Sequence, residues 1–108
     1  MKVTDDRLLE ELIDCKKRGK LSDQLFDFCH QLIIHWIEKA HDFWDEDKYP
    51  YYARYKGAAR ERMISHTAWK LCDGILHFNP EKSDKPIKYA QAIIGVAVRQ
   101  ALNSMKYD

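Results

Sequence analysis

The chain has 108 residues, 45% of them hydrophobic and 32% charged, with a formal net charge of +1. That is the length of one domain, able to bury roughly two-thirds of its unfolded surface without metals or disulfides. With only 4 Gly and 3 Pro, the composition excludes a turn-rich sandwich or barrel and a disordered chain.

The amino terminus, MKVTDDRLLEEL, lacks the apolar core of a signal peptide. No apolar run approaches the ~20 residues of a membrane span. Three cysteines, Cys15, Cys29 and Cys72, have no short pairing. They read as reduced thiols of a cytoplasmic protein. Charge is uneven: residues 1–54 carry 9 Lys/Arg and 12 Asp/Glu, a net −3, whereas residues 55–108 carry 9 and 5, a net +4. The second half can therefore present a cationic face to nucleic acid, although an asymmetry this small does not demand one.

Four helices are predicted. The first spans Asp5 to Arg18. Thr4 is the N-cap, Asp5 and Asp6 place negative charge in the first turn, and Leu8, Leu9, Leu12 and Ile13 form the apolar stripe. Lys16, Lys17 and Arg18 suit the last turn, and Gly19 the position beyond it. The second helix starts after Ser22 and runs to about Trp44. Leu25, Phe28, Cys29, Leu32, Ile33, Trp36, Ile37, Ala40, Phe43 and Trp44 recur at three- and four-residue steps, which marks it as the central core helix.

The stretch DEDKYPYYARYKG follows as a loop, with Pro50 disfavouring helix at Tyr49. Two readings of its tyrosines stay open. Tyr49, Tyr51, Tyr52 and Tyr55, interleaved with Lys48, Arg54 and Lys56, could stack on unpaired bases and hold phosphates. Equally, they could pack over the bundle with wet hydroxyls.

The third helix runs from Gly57 or Ala58 to His77, with Met63, Ile64, Thr67, Ala68, Leu71, Cys72, Ile75 and Phe78 as its apolar side. Asn79 and Pro80 end it, and EKSDKP is a polar loop. The fourth helix spans Ile87 to Met105. Its β-branched Ile93, Ile94, Val96 and Val98 would also suit a strand, but length and the polar continuation favour helix. The predicted fold is an all-α, compact bundle of four main helices in a single domain over residues 1–108. Its second and third helices form the core and the fourth packs across them.

No chemistry is advertised. Glycine-rich phosphate loops, HExxH, CxxC and GxSxG are missing. His30, His35 and His41 are five and six residues apart, which does not place ring nitrogens on one helical face. Glu10/Glu11 and Asp45/Asp47 read as solvated carboxylates. A non-enzyme without metal or cofactor is expected.

Residues 63–90, MISHTAWKLCDGILHFNPEKSDKPIKYA, carry a more specific pattern. Met63-Ile64 opens a helix, Leu71 lies within it, Phe78-Asn79-Pro80 closes it, and Tyr89-Ala90 opens the next helix after a short polar loop. This resembles region 2 of bacterial sigma factors, where a Leu-Ile pair, a leucine, Phe-Asp-Pro and Tyr-Ala fall in the same register. The closer likeness is to the late sigma factors of T-even phages, which share Met-Ile and a glycine at the place of Gly74. Their preceding helices resemble LFDFCHQLIIHWIEKAHDF and DRLLEELIDCKK. The resemblance is specific over residues 63–90 and extends as a pattern over nearly the whole chain.

The resemblance implies a phage-type, sigma-like transcription factor acting in the cytoplasm of an infected bacterium. Its partners would be the RNA polymerase core, through the clamp coiled coil of the largest subunit, and promoter DNA, through a −10-like element. The polymerase-binding positions would be Arg62, Ser65, His66, Trp69 and Cys72, taken as exposed. The family carries acidic and amide side chains at several of these, so the contact would be rebuilt around Trp69. The alternative for Trp69 is a half-buried ring packed on a neighbouring helix. DNA-binding positions would be Lys85, Lys88, Tyr89, Arg99, Gln100, Asn103 and Lys106, with Lys82 also placing the backbone. The alternative for Arg99, Gln100, Asn103 and Lys106 is an ordinary solvated helix end.

Two departures matter. Ala92 and Ile93 replace the family's tandem tryptophans, and Pro86 replaces the phenylalanine at the loop end, so Tyr89 is the aromatic left for stacking on a flipped base. The sequence also ends just after the reader helix, with no −35-reading domain. It would need a second transcription factor or a promoter with only a −10-like element. The other reading is a protein-interaction module that occupies the sigma site on polymerase and regulates by occlusion, without touching DNA.

Overall fold

The computed structural model describes residues 3–39 and 56–105, which form four α-helices: α1 (Asp5–Arg18), α2 (Asp23–Lys39), α3 (Lys56–Ile75) and α4 (Pro86–Met105). The predicted all-α bundle is the observed architecture. Among the described residues there is no strand, and no helix is long and apolar enough to cross a membrane.

α1 has the predicted limits because its end signals are local. The Thr4 hydroxyl accepts from the Arg7 N–H at 3.3 Å, and Gly19 sits at φ +72°, where a side chain would be strained. The Gly19 and Lys20 N–H groups bond the carbonyls of Lys16 and Cys15, a Schellman-type ending. Ser22 then caps α2, accepting from the Leu25 N–H at 3.0 Å and donating to Glu11 Oε1 at 2.5 Å. The same serine thus fixes the angle between α1 and α2. Arg18 bonds Asp14 at 2.6 Å and lies 3.6 Å from Glu11.

Along α2, Leu25, Phe28, Cys29, Leu32, Ile33 and Ile37 are buried. The expected continuation to Trp44 and the tyrosine-rich loop up to Tyr55 lie outside the described residues. α3 begins at Lys56 and ends at Ile75, two residues short of His77, because the His77 and Phe78 N–H groups turn back to the carbonyls of Gly74 and Ile75. Met63, Thr67, Leu71 and Ile75 step by four along its buried face.

α4 starts at Pro86, one residue earlier than predicted. Proline suits a first helical position because its missing N–H would have no partner there. The β-branched run is helical: Ala90, Ile94, Ala97, Val98, Ala101 and Leu102 are buried at helical spacing, while Val96 is 54% exposed. A strand would have put Ile94, Val96 and Val98 on one face. Packing differs from the predicted arrangement in one respect. The most extensive contact is between α3 and α4, rather than α2 and α3, and α4 also touches α1 and α2. Small residues on α4 (Ala90, Ala97, Ala101) and Gly74 on α3 let these two backbones come close.

Two long-range bonds hold the α3–α4 connection to α1. Lys16 Nζ donates to the Phe78 carbonyl at 2.6 Å. The Ile87 N–H donates to Asp5 Oδ1 at 3.0 Å. Asp5 therefore sits in the first turn of α1 while capping the first turn of α4, so one carboxylate serves two positive helix ends.

Candidate functional site

The antiparallel α3–α4 pair carries most of the candidate positions. Met63, Thr67, Leu71 and Ile75 point inward, so Arg62, Ser65, Trp69 and Asp73, one step out of phase, point outward. Trp69 is 66% exposed, which excludes the half-buried alternative. Its ring lies under the Lys70 ammonium, 5.1 Å from the centroid. An exposed indole of this size is unusual on a surface unless something covers it.

Arg62, Ser65 and His66 come together. With Ala58 and Glu61 of α3 and Ala101 and Ser104 of α4 they line one groove of 590 Å³. Arg62 and Ser65 are exposed, but His66 is only partly so, and its Nε2 is buried with no hydrogen-bond partner among the described residues. The Thr67 hydroxyl is in the same situation. Glu61 and Asp73 are also exposed. They temper the positive charge expected of this face.

Cys72 does not belong to the exposed set. It is partly covered and its thiol interacts with Cys29 of α2. Burial pushes the Cys29 thiol up to about 12, and the neighbouring Cys72 adds to the rise. Burial likewise raises Cys72, partly countered by its hydrogen bond with Cys29. Both thiols are free. The physical reason for the correction is packing: Cys72 lies one turn from both Ala68 and Trp69, and α2 brings Cys29 against it.

On α4, Lys88, Arg99 and Asn103 are exposed and share one line down the helix with Ala92 and Gly95. Gln100 is exposed but displaced from that line, toward α3. Lys85 and Lys82 are exposed in the loop before the helix. Lys106 lies outside the described residues. Tyr89 is only partly exposed and structurally engaged. Its hydroxyl donates to the Gly74 carbonyl at 3.0 Å, and its ring meets Phe78 with centroids 5.3 Å apart.

A second groove, of 340 Å³, lies along α4 where Lys70 of α3 meets it. Lys70, Tyr89, Ala92, Ile93, Val96, Ala97 and Gln100 line it. The small side chains of Ala92 and Ala97 leave room here. Next to the groove, α3 approaches Ile93 closely at Gly74, where a Cβ would come within 3.1 Å of Ile93 Cδ1. The periodicity of α4 did not reveal this groove, since it depends on the closeness of α3. No group of three metal-ligating side chains occurs among the described residues.

No protein-family model, curated protein or solved structure matches this chain.

Proposed function

We propose that this chain is a phage-type, sigma-like transcription factor. It binds the core of a bacterial RNA polymerase through α3 and a −10-like promoter element through α4. The observation that carries the reading is the exposure of Trp69 on α3, beside an α4 whose outer line carries Lys88, Arg99 and Asn103 and which contains no acidic residue. A large aromatic suits a protein contact, where such residues dominate binding energy. An Arg and an Asn on one helical line suit guanine and adenine edges, and lysines at the helix start suit phosphates. The likeness of residues 63–90 to region 2 supplies the identity of the partners.

The second reading is a module that occupies the sigma site on polymerase without touching DNA. The apolar middle of α4 favours it, since Ala92 and Gly95 interrupt the polar line and Val96 beside it is exposed.

The test is capture of purified bacterial core polymerase by this protein, with and without the housekeeping sigma factor. Capture that sigma competes away is the expected result, and no capture overturns both readings for the host enzyme. Arg99→Ala then separates them. It should cost ~1–3 kcal/mol of promoter binding if DNA is read, and change nothing if the module acts by occlusion.

A further inference from the structure

The surface of α2 carries an exposed aromatic ring. Phe26 is 48% exposed. Asp23, one turn before it, and Asp27, beside it, are both exposed, as is His30 one turn after. Asp27 also accepts from Gln31 at 2.7 Å, which leaves its carboxylate with further acceptor capacity. A phenylalanine half in water among carboxylates is a projecting apolar knob with an acidic collar.

The α3–α4 groove is its complement. Its walls are Tyr89, Ala92, Ile93, Val96 and Ala97, and its 340 Å³ exceeds what one ring needs, since an apolar cavity of about 150 Å³ already holds benzene. Its rim is cationic. Lys70 lines it directly. Lys88 stands one turn before Ala92 and Arg99 one turn after Val96, both exposed. Between Pro86 and Met105 there is no acidic residue, and the closest acid on α3 is Asp73. Knob and groove lie on different elements, so one copy's knob is free to enter another copy's groove.

We infer that the groove between α3 and α4 receives the Phe26 side chain of a second copy of this chain, with Asp23 and Asp27 of that copy against Lys70 and Arg99. The contact is heterologous, head to tail, so it does not close at two copies. Each copy keeps one free knob and one free groove. One aromatic anchor and a few rim charges make a small, transient contact rather than an obligate one. The inference is independent of whether polymerase is the partner.

Sedimentation velocity from low micromolar to near-millimolar protein tests it. The average mass of the wild type should climb with concentration beyond that of a dimer, and salt should weaken the climb. Phe26→Asp and Val96→Asp change exposed side chains, so both should keep the wild-type helical spectrum and melting temperature, and each alone should stay monomeric. Mixed in equal amounts they should form a dimer and nothing larger, because one good knob and one good groove remain. A wild type that is monomeric throughout overturns the proposal. So does a Phe26→Asp variant that associates as the wild type does, or a mixture that stays monomeric. A mixture that grows past two copies also overturns it, by showing that another surface is used.

Discussion

The Tyr89 hydroxyl of α4 donates to the backbone carbonyl of Gly74 in the last turn of α3, at 3.0 Å. This carbonyl also accepts from the His77 N–H as the helix ends. The bond therefore pins the end of α3 to the start of α4 and defines one end of the apolar groove. Tyr89→Phe removes it and keeps the ring on Phe78. We expect a loss of about 1 kcal/mol, measured by urea unfolding. If Tyr89 also stacks on a base, Tyr89→Phe should leave DNA binding intact and Tyr89→Ala should weaken it.

Gly74 sets the distance between α3 and α4. A methyl group there meets only the flexible tip of Ile93, at 3.1 Å, and gains helix propensity in return. Gly74→Ala should stay within about 1 kcal/mol of the wild type. Gly74→Leu forces the helices apart and should cost about 2–3 kcal/mol in the same assay.

Asp5 caps α4 across the fold. Asp5→Ala leaves the Ile87 N–H without its acceptor while Thr4 still caps α1, and a loss of about 1 kcal/mol is expected. Asp5→Asn keeps an acceptor oxygen and should lose less. Thermal unfolding followed by circular dichroism distinguishes the two.

The Cys29 thiol is 1% exposed and pushed up to about 12 from an ordinary 9.0, chiefly by burial. In the unfolded chain it releases its proton near 9.0. The folded state therefore holds more protons between these values, and stability falls as pH rises through that window. Below pH 9 the contribution is fully present. Cys29→Ala should shrink the alkaline loss, read from urea midpoints at pH 8 and pH 10. At neutral pH, iodoacetamide should modify Cys72 well before Cys29.

Trp69 has little to do with stability. Trp69→Ala should change the unfolding free energy by no more than about 0.5 kcal/mol. Under the proposed function it should nonetheless abolish capture of core polymerase. A variant that melts normally and still captures polymerase would remove Trp69 from the contact.

What the sequence made legible was local. Thr4, Asp5 and Gly19 announce both ends of α1 with residues next to those ends. The spacing of Met63, Thr67, Leu71 and Ile75 leaves Trp69 out of phase with the core, but only the structure shows it exposed rather than half-buried on a neighbour. Other features depend on what a second helix does. Cys72 shares its edge with inward positions, and only the placement of α2 brings Cys29 against it. Pro86 and Asp5 are far apart in sequence, and nothing near either one reveals that Asp5 ends as the cap of α4. The groove beside Tyr89 has the same origin, being the space between two helices rather than a property of either.

The bonds from Lys16 to Phe78 and from Asp5 to Ile87 span 62 and 82 residues. On a ribosome, α1 must wait for Phe78 and Ile87 to emerge before these latches close. Until then the Leu8–Leu12–Cys15 face of α1 has α2 as a neighbour, but α4 is still missing. The apolar seam that α4 will cover stays open until α4 is made. The newborn chain is thus most vulnerable to chaperones, proteases and its own siblings in the interval before α4 emerges.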